Sequence, residues 1–211
     1  MNKKVLVVDL DHTLIHTDLL FESSVGVLKK NPFLILFFPY WFMRGKGYLK
    51  DQLVRRFDID VRALPYNKLV IDFINEHRDQ YAQVVLATAS HKAYAFAVVK
   101  YLQSVGNRET VASNAQNFDL FDEQKTAVNT RAGSQSLFDD VMASNAEFNL
   151  SSHNKAKKLI ERFGEKGFDY MGDHMRDMPV WEASDIAILV NASKRVIDKT
   201  RHLNVTLVSK K

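Results

Sequence analysis

The chain has 211 residues, 46% of them hydrophobic and 26% charged, with a formal net charge of +4 and no cysteine. This length and balance fit one sizeable globular domain with a small appendage, and the missing cysteine excludes disulfides, thiolate zinc sites and cysteine nucleophiles. A charge of +4 is too small to argue for nucleic acid, and no nucleic-acid motif is visible.

The first apolar run, Val5 to Val8, reads as a buried strand. It is short and ends in acids, unlike a secretory signal, so a cytoplasmic chain is expected. Asp9 and Asp11 follow two residues apart, with Thr13 just beyond. Residues from about Leu19 to Arg56 read as helices interrupted near Pro32, Pro39 and the Gly45/Gly47 pair. Inside them, "PFLILFFPYWFM" (Pro32 to Met43) is the most apolar stretch; its 12 residues, with Pro39 among them, fall short of the roughly 20 that span a bilayer. It reads either as a packed helix pair or as a membrane-touching surface.

Pro65 is expected to open a helix carrying Val70, Ile71, Phe73 and Ile74, since proline suits a first turn. "AQVVLATAS" (Ala82 to Ser90) is a second strand, ending at Thr88, and a helix follows from about Lys92 to Leu102. Residues Gln103 to Ser136 are polar, with little periodicity, and read as an insertion. "DDVMAS" (Asp139 to Ser144) is a third strand, "NKAKKLIERFG" a helix ended by Gly164, "GFDYMGD" a fourth strand and "DIAILVN" a fifth. From Asp185 onward six Lys/Arg face two Asp, which reads as a solvated basic face or as contact with an acidic membrane surface. Strands separated by helices predict an α/β fold: a three-layer, Rossmann-like parallel sheet with helices on both faces.

Ligands of such sheets bind beyond the carboxyl ends of the strands. Those ends carry Asp9 and Asp11 after the first strand, Thr88 on the second, and Asp173 and Asp177 after the fourth, with Lys155 at the start of the preceding helix. Carboxylates that gather in one crevice repel each other unless a cation intervenes. Oxygen ligands without His or Cys suit Mg2+. Each piece alone is common as a cap or turn residue; the order and spacing of the set are far more specific.

On these residues the chain resembles the haloacid dehalogenase (HAD) superfamily. The four matching motifs are "DLDHT", the strand "VVLAT", the lysine in "NKAKKL", and "GDHMRD", and the resemblance spans Val5 to about Asn191. A closer resemblance is to the HAD domain found fused to UbiA-type prenyltransferases, carried by "DLDHTLIHTDLLFES", "LPYN", "SLFDDVMAS" and "FGEKGFDYMGDHMRDMPVW". Many relatives have Gly where this chain has His12, and "NLKG" where it reads "NLSS".

The resemblance implies a core domain of residues 1–18 and 65–211, a small helical cap at 19–64 inserted after the first strand, and the 103–136 insertion. It implies Asp9 as nucleophile and Asp11 as the acid and then base, with Thr88 and Lys155 binding the phosphoryl oxygens. Mg2+ would be held by Asp9, the backbone oxygen of Asp11, and Asp173, with Asp177 as ligand or support. Asp11 argues for phosphatase turnover, although a phosphomutase uses the same pair.

The cap contains eight Lys/Arg and four Asp/Glu, a tendency that suits an anionic substrate. The leading expectation is a phosphatase acting on a small phosphate ester. A phosphoprotein phosphatase is the alternative, and a membrane-associated regulatory module on a HAD scaffold is a second. A peripheral membrane contact through basic and apolar surface stays open, and no nucleic-acid partner is expected.

Overall fold

A computed structural model describes residues 4–106 and 136–209. Among these residues six strands form one parallel sheet: β1 (Lys4–Val8), β2 (Tyr81–His91), β3 (Asp140–Ser144), β4 (Phe168–Gly172), β5 (Ala187–Val190) and β6 (Val205–Val208). Their order is β3-β2-β1-β4-β5-β6. The chain starts in the middle, winds to one edge through β2 and β3, and returns to β4 on the other side of β1. That reversal opens a crevice at the carboxyl ends of β1, β2 and β4. Register brings those ends level, because Val8 lies opposite both Leu86 and Met171.

Alternation along the strands builds the three layers. Leu6 and Val8 of β1, with Ile188 and Val190 of β5, pack toward α4 (Lys68–His77) and α5 (Lys92–Gly106) through Val70, Ile74, Tyr94 and Val98. Val7, Phe168, Tyr170 and Leu189 face the other way, toward α6 (His153–Phe163), α7 (Met178–Ala183) and α8 (Lys194–Thr200), where Leu159, Trp181 and Val196 meet them. The continuous apolar runs of the sequence are thus strands buried on both faces.

Between β1 and β2 the chain forms α1 (Leu19–Lys30), a 3-10 helix (Pro32–Phe37), α2 (Phe38–Met43) and α3 (Lys46–Val54). These elements have a small core of their own, Val27, Trp41, Leu49 and Leu53. The apolar stretch Pro32–Met43 forms two short helices packed on one side only: Trp41 is buried, Leu34 and Phe38 lie half-buried against it, and the other residues are exposed. Pro39 cannot supply an interior N–H and is tolerated only in the first turn of a new helix, so the stretch breaks into two short pieces. Gly47 sets α3 against the loop after β3. A Cβ there would lie 2.5 Å from the carbonyl oxygen of Asn145.

Several boundaries differ from the expected ones. The helix expected at Pro65 begins at Lys68, because residues 65–67 are spent elsewhere. Pro65 accepts a hydrogen bond from the His16 amide (2.8 Å), Tyr66 bridges to Ile15, and the Asn67 side chain caps the helix at the Leu69 amide. β2 runs past Thr88 to His91, with an irregularity in its pairing between those two residues. α5 continues past Leu102 to Gly106, so the expected insertion loses its first residues to that helix, and positions 107–135 of it lie outside the described residues. β6 was not anticipated. It is a half-exposed edge strand whose four residues are too few to show a period.

Candidate active site

β1 stops at Val8, and Asp9 and Asp11 belong to a tight loop, not to the strand. The Asp9 amide still donates to the Met171 carbonyl (2.9 Å), which continues the ladder for one residue and fixes the Asp9 backbone. Its carboxylate accepts from the Leu10 amide (2.9 Å) and from Lys155 Nζ (2.8 Å) on the same oxygen, Oδ1. The chain then turns back through His12, whose φ of 60° lies in the left-handed region that glycine tolerates best. This gives a backbone reason for the glycine that many resembling sequences carry there. The loop closes on itself through His12 N to Thr17 O (3.1 Å) and Ile15 N to Leu10 O (3.0 Å).

Thr13 is fully buried and braces the loop from two sides. Its hydroxyl donates to Asp173 Oδ1 (3.3 Å), and its carbonyl accepts from Asn67 Nδ2 (2.9 Å). Asp11 is held by the Leu19 amide at the start of α1 (2.9 Å) and by the Ser90 hydroxyl at the end of β2 (2.7 Å). Burial, and after it the charges of Asp18 and Asp9, push the Asp11 carboxyl up to about 6, against the opposing effect of those two hydrogen bonds. A carboxyl in that range can give and take a proton near neutral pH.

The second group of acids follows β4. Gly172 is required there: a Cβ would lie 2.8 Å from Asp177 Oδ2 and 2.9 Å from Tyr170 Cε1. The turn 174–177 is a reciprocal cap in which the His174 side chain accepts from the Arg176 amide and Asp177 accepts from the amides of Asp173 (3.3 Å) and His174 (3.2 Å). Asp177 is buried, and Tyr170 donates to its Oδ1 (3.0 Å). Tyr170 in turn accepts from Lys155 (2.8 Å), so Lys155, Tyr170 and Asp177 form a buried relay behind Asp9. Burial, then the neighbouring Asp9 charge, raises Asp173 to about 6, and the same two causes raise Asp177.

Oxygen atoms of Asp9, Asp173 and Asp177 lie within 4.8 Å of one another. Three carboxylates and the single ammonium of Lys155 would leave two negative charges uncompensated if all were ionised. This all-oxygen donor set, lacking two positive charges, fits a Mg2+ ion. The Asp11 carboxylate is outside that trio, turned instead to Leu19 and Ser90. Thr88 is fully buried at the carboxyl end of β2, and its Oγ1 accepts from the Ser90 amide (2.9 Å), which leaves its own proton to donate. Asp9, Lys155, Asp173 and Asp177 therefore meet in one crevice, Asp11 lies in the same loop as Asp9 with its carboxylate turned to Leu19 and Ser90, and Thr88 stands on the neighbouring strand.

The sequence reading missed four participants: Tyr170, Ser90, Asn67 and Lys50. Tyr170 looked like an ordinary core aromatic of a strand. Lys50 lies on α3, far from any motif, yet it is buried and donates to the Ala89 carbonyl at the end of β2 and to Asn149 Oδ1 (2.8 Å). Burial lowers its pKa to about 8, with Asp11 and Asp18 opposing the fall. A small hollow of about 10 Å³, room for about one water, opens beside it, lined by Leu19, Ser23, Lys50, Ser90, His91 and Tyr94 among others. Both groups that hold the Asp11 carboxylate, the Leu19 amide and the Ser90 hydroxyl, come from residues on the wall of this hollow.

Comparison with known proteins agrees with this architecture. A family model described as NLI interacting factor-like phosphatase matches residues 4–129. The uncharacterized protein y4nM of Sinorhizobium fredii (strain NBRC 101917 / NGR234) is 29% identical over 204 residues, which is 96% of this chain; the chain spans only 33% of that protein's length. A predicted phosphatase from Clostridium acetobutylicum shares the fold with a TM-score of 0.59 at 13% identity, over 98% of this chain and 94% of that one. A phosphoserine phosphatase solved as a phospho-aspartyl intermediate analogue superposes with a TM-score of 0.55 at 13% identity, over 100% of this chain and 95% of that one. A HAD family hydrolase from Salmonella enterica serovar Typhi gives 0.54 at 11% identity, over 94% of this chain and 66% of that one. At these identities the solved structures speak for the fold.

Proposed function

The chain belongs to the NLI interacting factor-like phosphatase family, and from that premise we propose that it is a Mg2+-dependent phosphatase that hydrolyses a small phosphate monoester through an aspartyl-phosphate on Asp9. The observation that carries the reading is the cluster of Asp9, Asp173 and Asp177 oxygens within 4.8 Å, with Lys155 paired to Asp9 at 2.8 Å.

In this reading the free oxygen of Asp9 attacks phosphorus, and the bond to the leaving oxygen breaks as Asp11 protonates that oxygen. Asp11 then takes a proton from water. The water oxygen attacks the phosphoryl group, and the Asp9 carboxylate is released with inorganic phosphate. Lys155 has three donors and uses two on Asp9 and Tyr170, which leaves one for a phosphoryl oxygen. The Thr88 proton supplies another. Asp9, Asp173 and the backbone oxygen of Asp11, supported by Asp177, would hold a Mg2+ ion, which would supply charge neutralisation for the phosphoryl oxygens.

The substrate reading rests on the helices between β1 and β2, proposed as a cap over residues 19–64 on a core of 1–18 and 65–211. Lys50 lies near enough to feel the Asp11 charge and supplies a cation on the cap side of the site, so a small ester with a polar or anionic leaving group fits best. The kinship to HAD domains fused to UbiA-type prenyltransferases is part of the same proposal and rests on the sequence pieces quoted above. A screen of sugar phosphates, prenyl-type phosphates, nucleotides and phosphopeptides, with Asp9→Asn as control, tests it. Turnover of a small ester that Asp9→Asn reduces by about four orders of magnitude is expected. Undiminished turnover in that variant, or in excess chelator, refutes the assignment.

A further inference from the structure

The helices between β1 and β2 carry most of the large apolar side chains exposed among the described residues, and this inference stands independently of the phosphatase reading. Within Pro32–Met43 seven large apolar side chains are at least half exposed, led by Met43 (85%), Phe33 (78%) and Leu36 (74%). A large aromatic side chain offers on the order of 200 Å², so the seven present roughly 700 Å², beyond the few hundred Å² that a monomer usually leaves in one patch. The seven lie within twelve consecutive residues whose Leu34, Phe38 and Trp41 turn inward, and the segment is not loosely hung. Gly47 brings α3 into backbone contact with the loop after β3, and Lys50 ties the same helix to the end of β2.

The charges around the patch indicate its occupant. From Lys29 to Lys46 the chain has four basic residues, Lys29, Lys30, Arg44 and Lys46, all exposed, and no acid. Lys29 and Lys30 also close α1, and Arg44 caps α2 and reaches the Tyr40 hydroxyl (3.1 Å), places where cations favour the helix dipole; Lys46 closes no helix. A second copy of this chain would set the same four cations against each other. An apolar protein surface would leave them unmatched. An anionic bilayer accepts both features, since its headgroups pair with the bases and its acyl layer takes protruding side chains without a matching cavity. Among the described residues no helix is long and apolar enough to cross a membrane, so the contact would be peripheral.

We propose that the face formed by residues 29–46 docks on an anionic lipid surface, with Phe33, Leu36 and Met43 inserted and Lys29, Lys30, Arg44 and Lys46 on the headgroups. The test is sedimentation of the full chain with phosphatidylcholine vesicles and with vesicles in which a third of the lipid is phosphatidylglycerol. Binding to the second only, weakened by added salt, is expected. Lys29→Gln with Lys46→Gln should weaken it about 25-fold, at about fivefold per base, and Phe33→Asp with Leu36→Asp should abolish it. All four positions are exposed and outside the site, so turnover of a soluble ester and the circular dichroism spectrum should stay unchanged.

Binding that the Phe33/Leu36 variant retains would overturn the proposal, as would no binding at low salt. A dimer in sedimentation velocity that the same variant dissociates would assign the face to a second copy instead.

Discussion

Stripping divalent metal from the protein should make it less stable as pH rises from about 5 to about 8. Asp11 and Asp173 each titrate near 6 in the folded chain against 3.8 when unfolded. A carboxyl with a raised folded value binds its proton more tightly folded than unfolded. Its stabilisation is complete below about 3.8 and is lost as pH rises through about 6. The gap is worth about 3 kcal/mol per carboxyl, of which about 1.4 kcal/mol falls between pH 5 and pH 8.

Two such groups give about 3 kcal/mol, or a fall in Tm of about 6–12 °C for a domain of this size. Asp177 is displaced in the same direction and adds to it. His91, whose pKa burial lowers, acts in the opposite sense, so the comparison is with a double variant, Asp11→Asn with Asp173→Asn, which keeps His91. Calorimetry in chelator across this pH range should show the fall in the native chain and, in the variant, only the smaller part that Asp177 keeps. Mg2+ should restore Tm at the alkaline end, where its ligands are ionised, and do little at the acid end. A native Tm that is flat or rising with pH, or the same slope in the double variant, refutes the account of the site as an acid cluster that needs a cation.

Lys155→Met should cost about 3–5 kcal/mol by leaving Asp9 and the Tyr170–Asp177 pair without their buried cation, with turnover down at least about a hundredfold; denaturant titration and steady-state kinetics check both. Gly172→Ala puts a methyl 2.8 Å from Asp177 Oδ2, so half-maximal activity should need more Mg2+ while circular dichroism stays native. In Lys50→Met, KM should rise about tenfold for esters with anionic leaving groups and little for neutral ones, with kcat nearly unchanged, because one charged contact on the cap side of the site is lost. In the native chain the same KM difference should shrink above about pH 8, where Lys50 loses its proton; a pH series of KM values reads it.

Much of the catalytic inventory is visible in the linear chain, for a local reason. A strand buried on both faces must be a continuous apolar run, and whatever polar residue follows it sits at the rim of the sheet. Hence Asp9, Thr88 and Asp173 could be assigned to the carboxyl ends of three strands, and the alternation of strands and helices made those ends neighbours. Helix and strand limits were less legible where tertiary bonds decide them. Residues 65–67 pair with the loop after β1 instead of starting a helix, and β6 exists because β5 offers it an edge.

Other features depend on which segments meet in space, and no period or spacing encodes that. Tyr170 is one apolar-looking position in a strand until Lys155 and Asp177, from two other elements, converge on its hydroxyl. Lys50 is one of eight basic residues between Leu19 and Leu64 until α3 folds it beneath the protein surface against β2. The near-neutral titration of Asp11 comes from its enclosure by α1 and β2. The run Pro32–Met43 announces its hydrophobicity in sequence, but whether that surface is packed or presented to the outside is decided by two short helices that turn Trp41, Leu34 and Phe38 inward and leave seven others facing outward. Local chemistry thus set which groups the chain carries, and the packing of distant segments set their solvation, and with it what each group can do.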